Sequence, residues 1–102
     1  MRVDSGKAET QFRQSVVDAA VALKWAVQYT HDSRRGPKSG NGFPDLVLVR
    51  GSRVLFRELK TDSEHSRLRP NQKQWGWRLT EAGADWAVWR PQDWGLIEKE
   101  LR

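Results

Sequence analysis

Residues 42–60, GFPDLVLVRGSRVLFRELK, constrain this chain more than any other stretch. Two β-rich runs, Leu46–Arg50 and Arg53–Leu59, flank Gly51-Ser52, a dipeptide suited to a two-residue II′ turn with glycine first. That turn dictates a register: Arg50 faces Arg53, Val49 faces Val54, Val47 faces Phe56, and Asp45 faces Glu58. Opposed residues share one side of a sheet, with Cβ atoms about 4.5–5.5 Å apart. Two carboxylates so placed repel each other unless a proton or a cation lies between them. Lys60 falls on the same face, one diagonal step away. The pattern reads as a built cation site, and it depends on the register, since a β-bulge between the two acids would turn one of them off the face.

Both faces of the hairpin are apolar. Val47, Val49, Val54 and Phe56 accompany the acids, while Leu46, Leu48, Leu55 and Leu59 line the other side. Both faces are therefore expected to be covered, most simply by helices.

The flanking sequence supplies those helices. Over residues 8–24, Phe12, Val16, Ala19, Ala20 and Leu23 recur at helical spacing and predict a first helix with one buried stripe. Residues 25–30 (WAVQYT) are β-prone and predict a short first strand. Residues 31–44 are dense in Gly, Pro, Ser, Asn and basic residues and read as a mobile loop, in which Arg34, Arg35 and Lys38 are placed to close on a phosphate backbone. A second polar loop covers residues 61–69. A helix is expected from Pro70, with Gln72, Trp75, Leu79 and Ala82 on one face and Gly83 as its stop. Gly76 inside that helix costs about 1 kcal/mol relative to alanine and has no reason in the sequence beyond close packing. Residues 86–90 (WAVWR) predict a fourth strand, and residues 91–102 a last helix with Leu96, Ile97 and Leu101 inward. The result is an α/β fold of order α-β-β-β-α-β-α, a small mixed four-stranded sheet covered by helices. One domain over residues 1–102 is expected, with residues 1–7 a flexible N-terminus.

Charge supplies the partner. Lys and Arg number 18 against 13 Asp and Glu, a balance of +5. Residues 31–78 hold 11 basic and 5 acidic side chains, whereas the remainder is slightly acidic. Positive charge thus surrounds the acidic pair, as expected of a surface that meets a polyanion. Besides the loop cations, Arg67, Arg69 and Lys73 are candidate DNA-binding residues. The absence of cysteine excludes disulfides, thiolate metal sites and cysteine nucleophiles. No stretch approaches the length of a membrane span and no secretory leader is legible, so a cytoplasmic protein is expected, with no organic cofactor and no membrane partner.

An acid on one strand and Glu-x-Lys on the next suits hydrolysis of a phosphodiester. Two carboxylates and a backbone carbonyl are hard oxygen ligands, which favour Mg²⁺, with Mn²⁺ as substitute, over zinc. Such an ion polarises the scissile phosphate and acidifies a coordinated water. A neighbouring lysine orients that water or stabilises developing charge. Leu59, the x of Glu-x-Lys, points its side chain to the far face, with its carbonyl at the edge where the metal would sit.

Pro44-Asp45, then Glu58-Leu59-Lys60 resembles the PD-(D/E)xK nuclease superfamily, whose restriction-endonuclease-like core has the same element order. More narrowly, the chain looks like the VRR-NUC group of virus-type replication-repair nucleases in its compact, stand-alone phage form. The likeness rests on Glu9 ahead of Phe12, on Gly42-Phe43-Pro44-Asp45-Leu46-Val47, on Phe56-Arg57-Glu58-Leu59-Lys60, on Gln72 before Trp75, and on Ala82-Gly83. It implies Asp45 and Glu58 as metal ligands with the Leu59 carbonyl beside them, and Lys60 as the catalytic lysine. It further implies Glu9 as an auxiliary acid reaching the metal through water, and Gln72 as a residue that positions the lysine or a phosphate. The activity implied is a Mg²⁺-dependent DNA endonuclease, structure-specific for branched or Holliday-junction DNA, acting in DNA repair, replication or recombination inside the host cell as a homodimer.

Each residue also has a plainer reading. Glu-Leu-Lys by itself is a common tripeptide, Glu9 suits a helix first turn, and Gln72 suits a helix cap. His31 and Asp32 follow a strand and are further candidates for metal or base. Trp75, Trp86 and one of Trp25 or Trp89 fit inward positions, whereas Trp77 lies off its helix stripe near Lys73 and Arg78, where a base or a second subunit would meet it. The alternatives to an enzyme are a catalytically silent nucleic-acid-binding module of the same fold and an accessory subunit with a basic face.

Overall fold

The hairpin forms in the register its turn dictates. β2 (Leu46–Arg50) and β3 (Arg53–Leu59) run antiparallel, with Arg50 opposite Arg53, Val49 opposite Val54, Val47 opposite Phe56 and Leu46 opposite Arg57. Gly51 has a φ of 60° while Ser52 keeps a negative φ, as a II′ turn requires. No bulge interrupts this ladder, so Asp45, one residue before β2, stands opposite Glu58.

The computed structural model describes residues 5–30, 42–61 and 67–102. Around the hairpin lie α1 (Ser5–Ala22), β1 (Ala26–Tyr29), α2 (Pro70–Glu81), β4 (Asp85–Trp89), a 3₁₀ turn (Pro91–Asp93) and α3 (Trp94–Leu101). This is the expected order. The strands lie side by side as β1-β2-β3-β4; the first three are antiparallel, and β4 joins β3 in parallel through the α2 crossover. Among the described residues no helix is long and apolar enough to cross a membrane.

The leucine face carries the core. Leu46, Leu48, Leu55 and Trp89 pack beneath Phe12, Val16 and Ala20 of α1 and Ile97 and Leu101 of α3. Each such side chain contributes roughly 1.5–3 kcal/mol by leaving water. Two inward assignments do not hold. Leu23 is 37% exposed because α1 ends at Ala22 and Lys24, at φ 72°, turns the chain away in the left-handed conformation common at helix ends. Leu96 is 54% exposed, since Ile97 and Leu101, four residues apart, already define the inward stripe of α3.

The acid-bearing face is covered only in part, which also corrects the expectation. Val49 and Val54 remain 40% and 42% exposed. A helix is about 10 Å wide and strands are spaced by about 4.8 Å, so one helix covers roughly two strands of four. α2 packs on the β4 side, where Trp75, Phe43 and Phe56 form edge-to-face contacts at 5.1 and 6.1 Å.

Gly76 is explained by this packing. A Cβ there would stand 2.5 Å from the indole of Trp86, inside van der Waals contact, so the bare backbone of α2 lies directly on that ring. Gly76→Ala should gain about 1 kcal/mol of helix propensity and lose more by overpacking, for a net destabilisation of about 1–2 kcal/mol. A lowered urea midpoint at unchanged slope would verify it; an unchanged or raised midpoint would show that Trp86 yields freely.

The opposed Arg50 and Arg53 are accommodated rather than repelled. Their guanidinium groups lie 4.6 and 4.9 Å from the Trp25 ring centre and donate to the carbonyls of Leu101 and Glu100 at 2.8 and 2.7 Å, at the negative end of α3.

Candidate active site

Asp45 sits where β2 begins. Its carbonyl accepts the Thr30 N–H at 2.9 Å, and its Oδ2 accepts the Leu59 N–H at 2.8 Å. The second bond replaces the strand partner that β3 lacks beyond the start of β2, so it holds the Asp45 carboxylate against the end of β3. Glu58 faces it and is almost wholly buried, at 3% exposure. Lys60 continues β3 for one more residue through its N–H to the Trp89 carbonyl at 3.0 Å. Beyond it, Thr61 is buried and its carbonyl accepts a bond from Arg90 Nη1 at 2.6 Å, which holds the exit of the strand.

Gln72 brings α2 to the pair. Its Oε1 accepts the Arg69 N–H at 2.8 Å, the reciprocal half of a capping box, and its Nε2 donates a long 3.4 Å bond to Glu58 Oε1. The capping role and the site role therefore coexist in one amide. The approach depends on Gly42, whose φ is +85° and whose Cβ, had it one, would lie 2.7 Å from the backbone of Asn71. Only glycine lets the segment before Asp45 touch the first turn of α2. Phe43 then packs against Trp75, and Pro44 is buried, so these last residues of the sequence-predicted loop are part of the site's frame.

Burial, then the hydrogen bond that the protonated carboxyl donates to Asp45, then the Asp45 charge push the Glu58 carboxyl up to about 9; Lys60 pulls in the other direction. At neutral pH the two acids hold a proton between them or require a cation in its place. The donor set, two adjacent carboxylates with a lysine at hand, fits a hard divalent cation that takes oxygen ligands.

The structure thus brings Asp45, Glu58, Lys60 and Gln72 together. Glu9 is exposed on α1, and among the described residues no group of three or more His, Asp or Glu side chains is gathered, so Glu9 is not assembled with the pair. Arg67, Arg69 and Lys73 are exposed around the start of α2, on the site's flank. Arg34, Arg35, Lys38, His31 and Asp32 lie outside the described residues.

Sequence reading missed two arginines. Arg90 supports the strand after Lys60 from 29 residues away. Arg57, 1% exposed, bonds the carbonyl and carboxylate of Asp85 at 2.7 and 2.9 Å and lies 5.0 Å from the Trp89 ring centre, tying β3 to β4 beside Glu58. A charged residue within an apolar strand was the available signal for Arg57; Arg90 gave none.

This architecture defines a class: a restriction-endonuclease-like α/β fold with an acid pair at one end of its hairpin. Within that class the chain has the VRR-NUC fold. It is similar to one solved VRR-NUC domain at 22% identity and TM-score 0.66, covering 89% of this chain and 90% of that one. A second VRR-NUC domain protein matches at 22% identity and TM-score 0.69, over 98% and 88%. Hjc of Archaeoglobus fulgidus, a Holliday junction resolvase from an archaeal hyperthermophile, matches at 20% identity and TM-score 0.57, over 79% and 67%. No family model matches the chain, and no curated protein does.

Proposed function

We propose that the protein is a Mg²⁺-dependent DNA endonuclease, selective for branched DNA such as a four-way junction. The observation that carries this reading is the contact between Asp45 and Glu58, with the Glu58 carboxyl raised to about 9 next to Lys60. A carboxyl buried against a second acid in this way is unfavourable for folding and is explained by a cation that the two hold. The shared fold with VRR-NUC domains and a junction resolvase supports the substrate class, as does the basic charge around the site.

Asp45, Glu58 and the Leu59 carbonyl would hold the ion. When bound, Mg²⁺ supplies Lewis-acid polarisation of the scissile phosphate and a more acidic attacking water. The chain's own residues prepare the rest. The Leu59 N–H orients the Asp45 carboxylate, and Gln72 steadies Glu58, so the ligands need not reorganise on binding. The Lys60 ammonium, whose charge acts on Glu58, would meet the phosphate, orient the nucleophile and balance charge that grows in the transition state. Arg67, Arg69 and Lys73, with Arg34, Arg35 and Lys38, would track the backbone on either side. A two-fold homodimer would place two such sites on one junction.

The test is a cleavage panel of single strand, duplex, flap and four-way junction, with Mg²⁺, Mn²⁺ or EDTA. Cleavage of branched DNA that needs metal and falls at least about 100-fold in Asp45→Ala is expected. DNA binding with no cleavage in any metal would instead identify a catalytically silent binding module. Light scattering with and without DNA decides the dimer.

A further inference from the structure

We infer that Trp77 is a stacking platform for an unpaired base of a single-stranded DNA segment leaving the acid pair. The inference rests on the nuclease reading of the neighbouring site and names the feature of branched DNA that the protein would grip. Trp77 is 64% exposed, whereas Trp25, Trp75, Trp86, Trp89 and Trp94 are all buried or half-buried. The helix positions it deliberately outward: Gln72, Trp75, Gly76 and Leu79 occupy the inward side of α2, and Trp77 lies opposite them.

Its surroundings select the partner. Lys73, four residues earlier, shares its exposed face. Residues 67–81 carry Arg67, Arg69, Lys73 and Arg78 against the single acid Glu81. An aromatic ring in a cationic field fits a polyanion whose bases have π-faces, and fits an apolar protein surface poorly. The site and the ring lie on one helix. Gln72 touches Glu58 from the first turn, and Trp77 is five residues on, about 7.5 Å along the axis and about 140° round it, on the outer side of the helix. A strand that leaves the acid pair over the first turn of α2 would reach Trp77 by passing round the helix along its Lys73 side. Stacking needs a base free of its partner, so this contact rewards single-stranded segments, such as those at a branch point or flap, over continuous duplex.

The experiment measures fluorescence anisotropy of the whole protein, in EDTA to prevent cleavage, with a labelled 20-nucleotide oligothymidine and with a blunt 20-base-pair duplex. Trp77→Ala should weaken single-strand binding roughly 10- to 100-fold and duplex binding by less than about two-fold. Trp77→Phe should restore most of the loss. Lys73→Ala should weaken both DNAs and lower the salt slope for the single strand by about 0.7. An unchanged circular dichroism spectrum and Tm would confirm that Trp77→Ala still folds. The inference is overturned if Trp77→Ala binds the single strand as tightly as the parent, or loses both DNAs equally. It is also overturned if the variant instead changes the protein's mass in light scattering without DNA, which would make Trp77 a subunit contact. If the parent cuts DNA in the cleavage panel while Trp77→Ala binds normally, only the stacking assignment falls. A parent that neither binds nor cuts DNA removes the nuclease reading and this one together.

Discussion

Lys60→Ala is expected to abolish most cleavage, by about 10²- to 10⁴-fold in rate, while leaving Mg²⁺ binding intact. The separation of the two readouts is the point of the variant. Lys60 is partly exposed at the end of β3 and is held there through its backbone N–H, so removing its side chain leaves the strand in place. Its charge favours the ionised form of Glu58 and opposes a second cation at the same spot. Loss of that charge should therefore leave metal affinity equal or tighter, as titration calorimetry would show. Asp45→Asn and Glu58→Gln differ: they remove a ligand, so binding and cleavage should fall together. If Lys60→Ala cuts junction DNA as fast as the parent, the lysine has no part in the chemistry and the proposed assignment is wrong.

Stability should depend on pH through Glu58, with the opposite sign to an ordinary surface carboxylate. The folded protein raises this group from 4.5 to about 9, so between those values the native state holds a proton that the unfolded chain has released. The unfolded state binds fewer protons, and stability falls as pH rises through that window. The contribution is full below about pH 4.5 and is lost progressively until about pH 9. Even 1 kcal/mol corresponds to about 4–8 °C in a domain of this size. In EDTA, Tm at pH 8.5 should lie several degrees below Tm at pH 6. Glu58→Gln, neutral at every pH, should flatten this dependence and be the more stable protein at pH 8.5. Mg²⁺ should reverse the loss, since a cation replaces the proton and stabilises the folded state by about 2.7 kcal/mol at a hundred times its Kd. A parent and a Glu58→Gln variant with parallel Tm profiles would show that the pair does not share a proton.

Both predictions trace to geometry that local sequence makes legible. Turn chemistry at Gly51-Ser52 and the alternation of two short strands placed Asp45 opposite Glu58, because a strand's period of two leaves no other partner once the turn is set. The helix beginning at Pro70 was legible for the same kind of reason. Residues that act at a distance were not. Arg57 stands out as a charge within an apolar strand, but its partner Asp85 is set only by the pairing of β4, and Arg90 reaches Thr61 only in the folded chain. Coverage of the acid-bearing face is not legible in the sequence, because apolar character says a surface is best covered, not how many helices are at hand to cover it.

The acid pair, its lysine and the cationic field around them were thus determined by sequence, through local rules of turn and pleat. Only the tertiary structure decided how α2 lies on the sheet. That angle is set by backbone meeting backbone at Gly42 and Asn71, and backbone meeting indole at Gly76 and Trp86, contacts between residues far apart in the chain. Because α2 lies there, Gln72 touches Glu58, while Trp77, already off the helix stripe by its period, faces water on the outer side of the helix. No period or propensity along the chain encodes the placement of α2, since it is fixed by shape complementarity between elements rather than by the order of residues within one.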